Sequence, residues 1–498
     1  MIANKRVCAA FLLSLMLTQT SCGFIVFNDP DSETAPVTTE PADTSAAMTE
    51  TVDTTAPADT AEPLSPGELA RARLEALPDR NFDGAPILIA TTAGDTICPL
   101  DAEDAAIASR ADSRRAVEEK FNTVIIANVT DPTTMLADAE AATAAGMYYA
   151  ELLAIPQSMV GQFRMSGILL NMNSLPHANY DEPYYHQNII DAAYAGDELY
   201  AVSGAASFNP DYLSCVYFNR TLAESLGIGD LYALVRDGGW TWDKLREYAK
   251  AAKNNLDGAT GIGSYADNNT LIDYAASAHG IEYTTTSVGA APIVNFLERT
   301  SMAERAAAVV DTMYNLIYKD GTLLAKNGES MRNAFSAGEL LFGIDSLSRI
   351  TEISDGAVEW GILPLPKYDT DQHDYLSPLS ADAPVFCAIA GTSSYENSGL
   401  VLEGLNAASY GYTLDTYLTE RINYHLRDSN SIGMLDIICE GVTTDFVHMY
   451  ASGQSTIANA TYQAIVGAVT TRSSLETLYK SYKPTADREL SKMVKLYD

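Results

Sequence analysis

The residue types that most often perform chemistry do not fall into a recognised catalytic motif in this chain. The six histidines form no His-Glu-x-x-His zinc motif, and the chain lacks the Gly-x-Ser-x-Gly turn of serine hydrolases and a Gly-x-x-x-x-Gly-Lys-Ser/Thr phosphate loop. A glycoside hydrolase needs only two carboxylates about 5–10 Å apart, and the 65 acidic residues leave that alternative open. The sequence therefore favours a protein that is not an enzyme and uses no cofactor and no metal.

The six cysteines are the other reactive residues, and none belongs to a Cys-x-x-Cys pair that would predict a zinc site. Cys8 lies in an N-terminal apolar stretch, and Cys22 follows two small residues. The remaining four are widely spaced: Cys98, Cys215, Cys387 and Cys439. The sequence leaves open whether these four form two disulfides or remain buried thiols that pack as small apolar side chains.

The first residues have the pattern of an export signal. Two basic residues precede an apolar stretch at residues 7–17, which is too short to span a bilayer. The small residues before Cys22 resemble the lipobox of bacterial lipoproteins, although Gln19 stands where Leu is usual. We therefore expect residues 1–21 to be a signal peptide and Cys22 to carry a lipid anchor facing the extracellular side. Ordinary secretion, with cleavage nearby, is the alternative.

Residues 22–69 have the composition of a linker. Between positions 29 and 68 the chain is rich in Thr, Ala, Pro and acidic residues and contains no Lys or Arg. Such a segment cannot bury enough apolar surface to offset its ordering entropy, so we expect a disordered acidic tether. The net charge of −34 argues against nucleic acid as a partner and against direct docking to an anionic membrane. We expect a monomer that meets the membrane only through its anchor.

Apolar β-rich runs alternate with helical patterns beyond residue 70. Predicted strands at 86–92 and 123–129 flank a predicted helix at 104–121, and a second series of strands and helices begins near Tyr200. Strands that alternate with helices of ten or more residues predict βαβ units and a mostly parallel sheet. The fold class is therefore α/β.

Four strings in the second series are similar to one known family. They lie at residues 198–219 (ending in Val-Tyr-Phe-Asn), 239–245 (Gly-Trp-Thr-Trp-Asp-Lys-Leu), 335–342 (Phe-Ser-Ala-Gly-Glu-Leu-Leu-Phe) and 360–366 (Trp-Gly-Ile-Leu-Pro-Leu-Pro). Their order and spacing resemble the extracellular solute-binding proteins of ABC importers, in the sugar-binding group that includes maltose-binding protein.

The resemblance implies a two-lobed, type II periplasmic-binding-protein-like fold with hinge crossovers near residues 205–212 and 379–384. The implied lobes are 80–208 with 385–420, and 213–380 with 421–498. The implied function is to bind a small solute, with a mono- or oligosaccharide favoured, and to deliver it to ABC permease subunits. A sensor or adhesin with the same fold, or an extracellular carbohydrate hydrolase, is the alternative.

A sugar-binding cleft needs planar polar side chains for the hydroxyl groups and an aromatic ring for the apolar face of the sugar. Open α/β sheets bind ligands beyond the carboxyl ends of their strands. The candidate ligand-binding residues at such ends and at the crossovers are Asp95, Gln157, Ser158, Asn209, Asp211, Tyr212, Asp345, Arg349 and Asp382. Asp345 stands where related sugar binders often have Trp, which weighs against a maltose-like oligosaccharide. Asp95 has the alternative of capping the following turn, Gln157 and Ser158 that of ordinary loop polarity, and Asp382 that of ending a turn.

Overall fold

The computed structural model describes residues 65–99, 105–255, 260–287, 290–324, 328–354, 358–410, 429–451 and 455–494. These residues belong to one compact unit, which begins at residue 63. The predicted signal peptide, Cys22 and all but the last residues of the predicted linker lie outside the described residues. Within the described residues, no helix is both long enough and apolar enough to cross a membrane.

The strands are short and are spread along most of the described chain. They are β1 (Pro86–Thr91), β2 (Val124–Val129), β3 (Leu152–Pro156), β4 (Leu169–Leu170), β5 (Tyr194–Ala195), β6 (Glu198–Leu199), β7 (Ser214–Asn219), β8 (Thr260–Ser264), β9 (Thr284–Ser287), β10 (Ala290–Val294), β11 (Leu340–Ser346), β12 (Trp360–Leu363), β13 (Ser377–Pro378), β14 (Pro384–Ile389) and β15 (Val442–Thr443).

The helices lie between the strands and at the C-terminal end. They are α1 (Pro66–Ala76), α2 (Gly94–Ile97), α3 (Ala105–Phe121), α4 (Pro132–Ala145), α5 (Val160–Met165), α6 (Gln187–Ala193), α7 (Arg220–Ser225), α8 (Leu231–Arg236), α9 (Trp242–Asn255), α10 (Asn268–Ala278), α11 (Thr300–Tyr314), α12 (Gly328–Ser336), α13 (Ile350–Ser354), α14 (Tyr395–Ser409), α15 (Ser429–Glu440), α16 (Phe446–Tyr450), α17 (Ser455–Ala460), α18 (Tyr462–Thr471) and α19 (Leu475–Val494).

Local sequence explains where these helices begin and end. The side chain of Asp131 accepts hydrogen bonds from two backbone amides in the first turn of α4, and Pro132 occupies a position where no amide is needed. The helix ends at Gly146, whose φ of 66° is accessible to glycine at little cost. In α9, Trp242, Leu245 and Ala249 lie on one buried face, as the apolar spacing predicts.

Two mixed sheets form the cores of two lobes, and the fold class predicted from the sequence is confirmed. The sheet of lobe 1 has the order β2-β1-β3-β14-β4, and the sheet of lobe 2 has the order β12-β7-β11-β8. In lobe 1, β1 is parallel to both β2 and β3, and in lobe 2, β8 is parallel to β11. The exact lobe boundaries implied by the resemblance stay a prediction.

Each sheet contains one strand that runs against its neighbours, and both of these strands follow a predicted crossover. β14 is antiparallel to β3 and β4, and β7 is antiparallel to β11 and β12. Pro384 at the start of β14 pairs with Pro156 at the end of β3, and Ser214 at the start of β7 pairs with Ser346 at the end of β11. Each crossover therefore enters its sheet at the edge where parallel strands finish, so the carboxyl ends of both sheets lie at the joint.

The apolar core extends through both lobes and includes the residues that could have been mistaken for ligand contacts. Trp240, Trp242 and Trp360 are 0%, 1% and 6% exposed. Cys98, Cys215, Cys387 and Cys439 are all buried free thiols, which settles the alternative that the sequence left open. The second series begins with the two-residue strand β6, which ends at Leu199, and Val202 then makes a single bridge to Phe386 on the way to the crossover.

Candidate functional site

Three segments of the chain run side by side where the lobes join. Leu213 of the first segment bridges to Leu379 of the second. The amide of Leu379 donates to the carbonyl of Thr443 in the third at 2.9 Å, next to the parallel pair β13–β15. The first two segments coincide with the crossovers that the sequence predicts near 205–212 and 379–384. The third was not predicted, because a two-residue strand has too little pattern to be seen in a sequence.

Gln157, a predicted ligand-binding residue, ties two of these segments together. Its Nε2 donates to the carbonyl oxygens of Leu379 at 2.7 Å and Ser380 at 2.9 Å, and its Oε1 accepts from Thr444 Oγ1 at 2.8 Å. The side chain is fully buried. Both donors of its carboxamide are therefore occupied by the protein itself.

A cavity of about 460 Å³ lies beside the three segments, at the end of β3. Lobe 1 contributes the residues that follow β3, lobe 2 contributes α10 and the start of α18, and the second and third segments lie between them. The lining residues are Gln157, Ser158, Asn269, Thr270, Asp273, Tyr274, Ser277, Pro378, Leu379, Ser380, Ala381, Asp382, Thr443, Thr444, His448, Tyr462, Gln463 and Val466. Of the nine predicted ligand-binding residues, the cavity brings together Gln157, Ser158 and Asp382.

One face of α10 forms a wall of this cavity. Its lining residues are Asn269, Thr270, Asp273, Tyr274 and Ser277, which share one side of a helix. The opposite face is buried in lobe 2. Sequence reasoning missed this wall, because a polar stripe on an amphipathic helix has the same pattern whether it faces solvent or a ligand.

The floor of the cavity contains a histidine paired with a carboxylate. His448 Nε2 lies 3.2 and 3.1 Å from the two carboxylate oxygens of Asp273, and its ring stacks on Tyr462 with centroids 5.4 Å apart. Burial lowers the pKa of His448, but the charges of Asp273 and Asp445 outweigh burial, so the pKa lies above its ordinary value. The pair can present a charged, oriented imidazolium beside an aromatic ring.

Tyr274 connects the cavity to the end of β11. Burial raises the pKa of Tyr274, and the carboxylates of Asp273, Asp345 and Asp382 raise it further, whereas a hydrogen bond with Ser214 lowers it. The phenol is therefore within electrostatic reach of three carboxylates, two of which are predicted site residues.

Tyr212 and Asp95 lie at the lobe 1 side of the joint. Burial raises the pKa of the Tyr212 phenol, Thr96 lowers it through a side-chain hydrogen bond, and the Asp382 and Asp211 carboxylates raise it. Asp95 precedes Thr96 in α2, directly after β1, and its side chain is exposed. The structure thus places Tyr212 near Asp382. Asp95 is the chain neighbour of Thr96, the hydrogen-bond partner of Tyr212, and it does not line the cavity.

The other predicted residues lie around two short turns that pack together at the joint, Pro210–Tyr212 and Leu347–Arg349. Asn209 Oδ1 accepts the amide of Asp211 at 3.0 Å and caps the first turn. Ser346 Oγ donates to the carbonyl of Asp211 at 2.6 Å, which holds the turns together. Asn209 therefore caps a turn, and whether it also contacts ligand stays a prediction.

Asp345 and Arg349 flank the second of these turns. Asp345 is 4% exposed, and burial raises its pKa to about 6 against the opposing effects of the Ser346 amide and Arg332. Arg349 Nη1 forms an ion pair with Glu352 Oε1 at 2.7 Å.

The charge of the cavity limits what it can hold. Its described lining residues include Asp273, Asp382 and His448 but no Lys or Arg. Anionic solutes would meet carboxylates without a cation beyond the already paired histidine. Elsewhere in the described part of the chain, no three His, Cys, Asp or Glu side chains converge as metal ligands would.

The chain is similar to known proteins in part of its sequence and in its fold. Residues 179–391 match the model of the family described as bacterial extracellular solute-binding protein. A cyclo/maltodextrin-binding protein complexed with maltotetraose superposes with a TM-score of 0.54 at 13% identity, over 81% of this chain and 96% of that one. The GacH receptor of Streptomyces glaucescens GLA.O, solved unliganded and with acarbose, gives a TM-score of 0.48 at 13% identity, over 83% of this chain and all of that one. No curated protein sequence matches the chain.

Proposed function

We propose that this chain, whose residues 179–391 match the bacterial extracellular solute-binding protein family, captures a small carbohydrate between its two lobes and delivers it to an ABC-type importer. The family and the two-lobed fold support solute binding, and the cavity chemistry supports the carbohydrate. Export and attachment through a lipid on Cys22 are part of the same proposal, because the N-terminal pattern and the family both fit a protein outside the cytoplasmic membrane.

The cavity at the joint is the observation that carries the proposal. It combines hydroxyl groups, carboxamides and carboxylates with two tyrosine rings, and its described lining residues include no Lys or Arg. Hydroxyl-rich, uncharged solutes are matched by such a set, because carboxylates and carboxamides hydrogen-bond neighbouring hydroxyls while an aromatic face packs against the ring. Asp382 is the best placed of the predicted residues, since its exposed carboxylate lies in the cavity wall and near both Tyr212 and Tyr274.

Capture requires that the closed form be favoured by ligand contacts to both lobes. The cavity meets this requirement because its wall includes Ser158 of lobe 1 and α10 of lobe 2. A solute that bridges the two walls stabilises closure by its differential affinity for the closed form, which is what an importer needs to distinguish loaded from empty protein.

A thermal-shift screen of the purified protein against mono- and oligosaccharides, amino acids and polyamines tests this proposal. A saccharide present at 100 times its Kd should stabilise the folded state by about 2.7 kcal/mol and raise Tm without being converted to product. A shift from amino acids or polyamines, with none from any saccharide, would overturn the carbohydrate assignment.

Asp382→Asn links the result to the cavity. It should weaken saccharide binding about tenfold, equivalent to about 1.4 kcal/mol, because an amide accepts fewer hydroxyl hydrogens than a carboxylate. Asp138→Asn is the matched control: this residue is exposed on α4 and does not line the cavity. Equal saccharide affinity of the two variants would show that Asp382 does not bind the saccharide.

A further inference from the structure

The short helix α16 lies between the two lobes, beside the floor of the cavity. It follows the third of the segments at the joint and packs against α5, α6 and the turn Gln157–Met159, all on the lobe 1 side. The backbone of Tyr450 approaches Gly161 so closely that a Cβ atom at Gly161 would lie 2.5 Å from the Tyr450 carbonyl oxygen. The Tyr450 hydroxyl donates to the carbonyl of Ala193 at 2.6 Å. The helix is therefore held on lobe 1 by close packing.

The two charged residues of this helix and its N-cap contact lobe 2. His448 Nε2 lies 3.2 and 3.1 Å from the two carboxylate oxygens of Asp273 in α10. Asp445, the N-cap of α16, accepts the amide hydrogen of Tyr283 at 3.0 Å. The centroid of the His448 ring lies 5.4 Å from that of Tyr462 and 6.0 Å from that of Tyr283. The His448–Asp273 ion pair therefore joins a helix packed on lobe 1 to a helix of lobe 2, and we call it the interlobe ion pair.

His448 is the member of this pair that titrates nearest to neutral pH. Burial opposes its charged form, but the carboxylates of Asp273 and Asp445 outweigh burial and hold the pKa of His448 above its ordinary value of 6.5. Burial raises the pKa of the Tyr283 and Tyr462 phenols, so both rings stay neutral near pH 7.

Other titratable groups surround the interlobe ion pair. Burial raises the pKa of Asp445, so any dependence on pH must be assigned to His448 and not to Asp445 by comparing variants. Element by element, the groups are Asp273 and Tyr274 of α10, Glu282 and Tyr283 after that helix, Tyr462 of α18, Asp445 and Tyr450 at the two ends of α16, and Arg164 of α5, which acts on Tyr450.

We propose that the interlobe ion pair makes closure of the two lobes depend on pH, so that the closed form is favoured while His448 carries a proton and is less favoured once that proton is lost. Separation of the lobes draws His448 away from Asp273, so the open form binds the proton less tightly than the closed form. By linkage, closure takes up a proton and becomes weaker as the pH rises through the range in which His448 titrates.

The effect is modest because water reaches the pair. The side chains of His448 and Asp273 are 20% and 23% exposed, and ion pairs that are open to water are weak. A captured solute would be held more tightly in acidic than in alkaline surroundings. The inference rests on the movement of the lobes in the proposed function and not on the class of solute.

Pulsed electron paramagnetic resonance of the solute-free, full-length protein tests the proposal. Nitroxide labels are attached through azidophenylalanine at Glu140 and Glu224, which are exposed on α4 of lobe 1 and α7 of lobe 2, so the cysteines stay unmodified. From pH 6 to pH 9, the ratio of short to long label distances should fall about fivefold, as expected for a partly exposed ion pair. The midpoint should lie above 6.5.

Two variants assign the change to the pair. His448→Gln should remove the dependence on pH, and Asp273→Asn should reduce it to less than about twofold, because an amide attracts the imidazolium less strongly than a carboxylate does. Each variant stands in for the other if one does not fold. His177→Gln is the matched control and should keep the full change, since His177 Nε2 lies 3.8 Å from Glu396 Oε1 and both residues lie in lobe 1.

Two results would overturn the proposal. One is a ratio of label distances in the parent that does not fall as the pH rises. The other is a fall that survives both His448→Gln and Asp273→Asn, which would place the titrating group elsewhere. Either result leaves the proposed function in place, because the saccharide screen measures binding of a solute and not closure of the empty protein.

Discussion

The two sheet edges at the joint use their polar residues in opposite ways. On the lobe 1 side, Gln157 hydrogen-bonds Leu379, Ser380 and Thr444, so both of its amide hydrogens and its carbonyl oxygen have protein partners. On the lobe 2 side, Asp345 is equally buried but keeps a carboxylate oxygen without a hydrogen bond among the described residues. Both were predicted as ligand residues from their position alone. The contrast is that one polar strand end is satisfied by the protein itself, whereas the other keeps an acceptor without a partner among the described residues.

The largest expected effect on the free energy of unfolding comes from replacing Gln157, whose polar atoms all have hydrogen-bond partners in the protein. Gln157→Ala should lower the free energy of unfolding by about 3 kcal/mol, because it leaves buried carbonyl groups at the second segment without donors. Denaturant unfolding of the ligand-free protein measures this change. Gln463→Ala is the control, since this residue also lines the cavity but is exposed, and it should change the free energy by less than about 0.5 kcal/mol. Equal changes in the free energy of unfolding for the two variants would show that the hydrogen bonds of Gln157 do not stabilise the fold.

Asp345→Asn should raise the free energy of unfolding, whereas Gln157→Ala should lower it. Burial raises the pKa of Asp345 from 3.8 to about 6. Between pH 4 and 6 the unfolded chain therefore loses this proton while the folded protein keeps it, so stability falls as pH rises through that window and stays lower above it. At pH 8 the Asn variant should be more stable than the parent by on the order of 2 kcal/mol.

Unfolding curves between pH 4 and 8 measure this difference. The gain should shrink as the pH falls towards 4, because the Asp345 carboxyl is protonated in both states only below its unfolded pKa of 3.8. The same variant should bind the solute more weakly, as expected where a site stores an unfavourable group for its ligand. A variant less stable than the parent at pH 8 would show that the carboxylate stabilises the empty protein. Asp345 and Gln157 would then have the same role, and the contrast between them would be wrong.

The smallest expected effect concerns the histidine pair in the cavity. The pKa of His448 is raised in the folded protein, so the ion pair with Asp273 stabilises it fully below the unfolded pKa and loses that contribution as pH rises through the folded pKa. Asp273→Asn should lower the pKa of His448, measured by NMR titration, and should lower the free energy of unfolding at pH 5 by about 1 kcal/mol. An unchanged pKa would mean that Asp273 does not hold the imidazolium.

Much of the architecture could be predicted because its signals are local. The apolar runs that become β1 and β14 are uninterrupted, and Asn128 alone interrupts the run that becomes β2. The strand-end rule selected Gln157 and the predicted crossover selected Asp382, and both line the cavity, although their role in ligand binding stays a prediction. β8 was missed for a physical reason: its sequence, Thr-Gly-Ile-Gly-Ser, has two glycines and reads as a loop. Gly261 is needed there because a Cβ atom would lie 2.6 Å from Ala249 in the packed helix α9.

The cavity floor could not be predicted, since its partners are remote in the chain. Asp273 and His448 are 175 positions apart, and neither stands next to a strand end or a motif. Tyr462, which stacks on His448, lies in a helix that has the pattern of ordinary packing. Such contacts depend on how helices dock and not on any periodicity in the sequence.

The three hydrogen-bonded segments at the joint limit the ways in which the lobes can move. Independent tethers would allow one lobe to rotate about the other, but segments that are hydrogen-bonded to each other through Leu213, Leu379 and Thr443 oppose that rotation. Opening is then described by one angle, and the two halves of the binding surface return to the same register at every closure. The position that a solute takes between the two lobes would thus be set by these segments before any solute arrives.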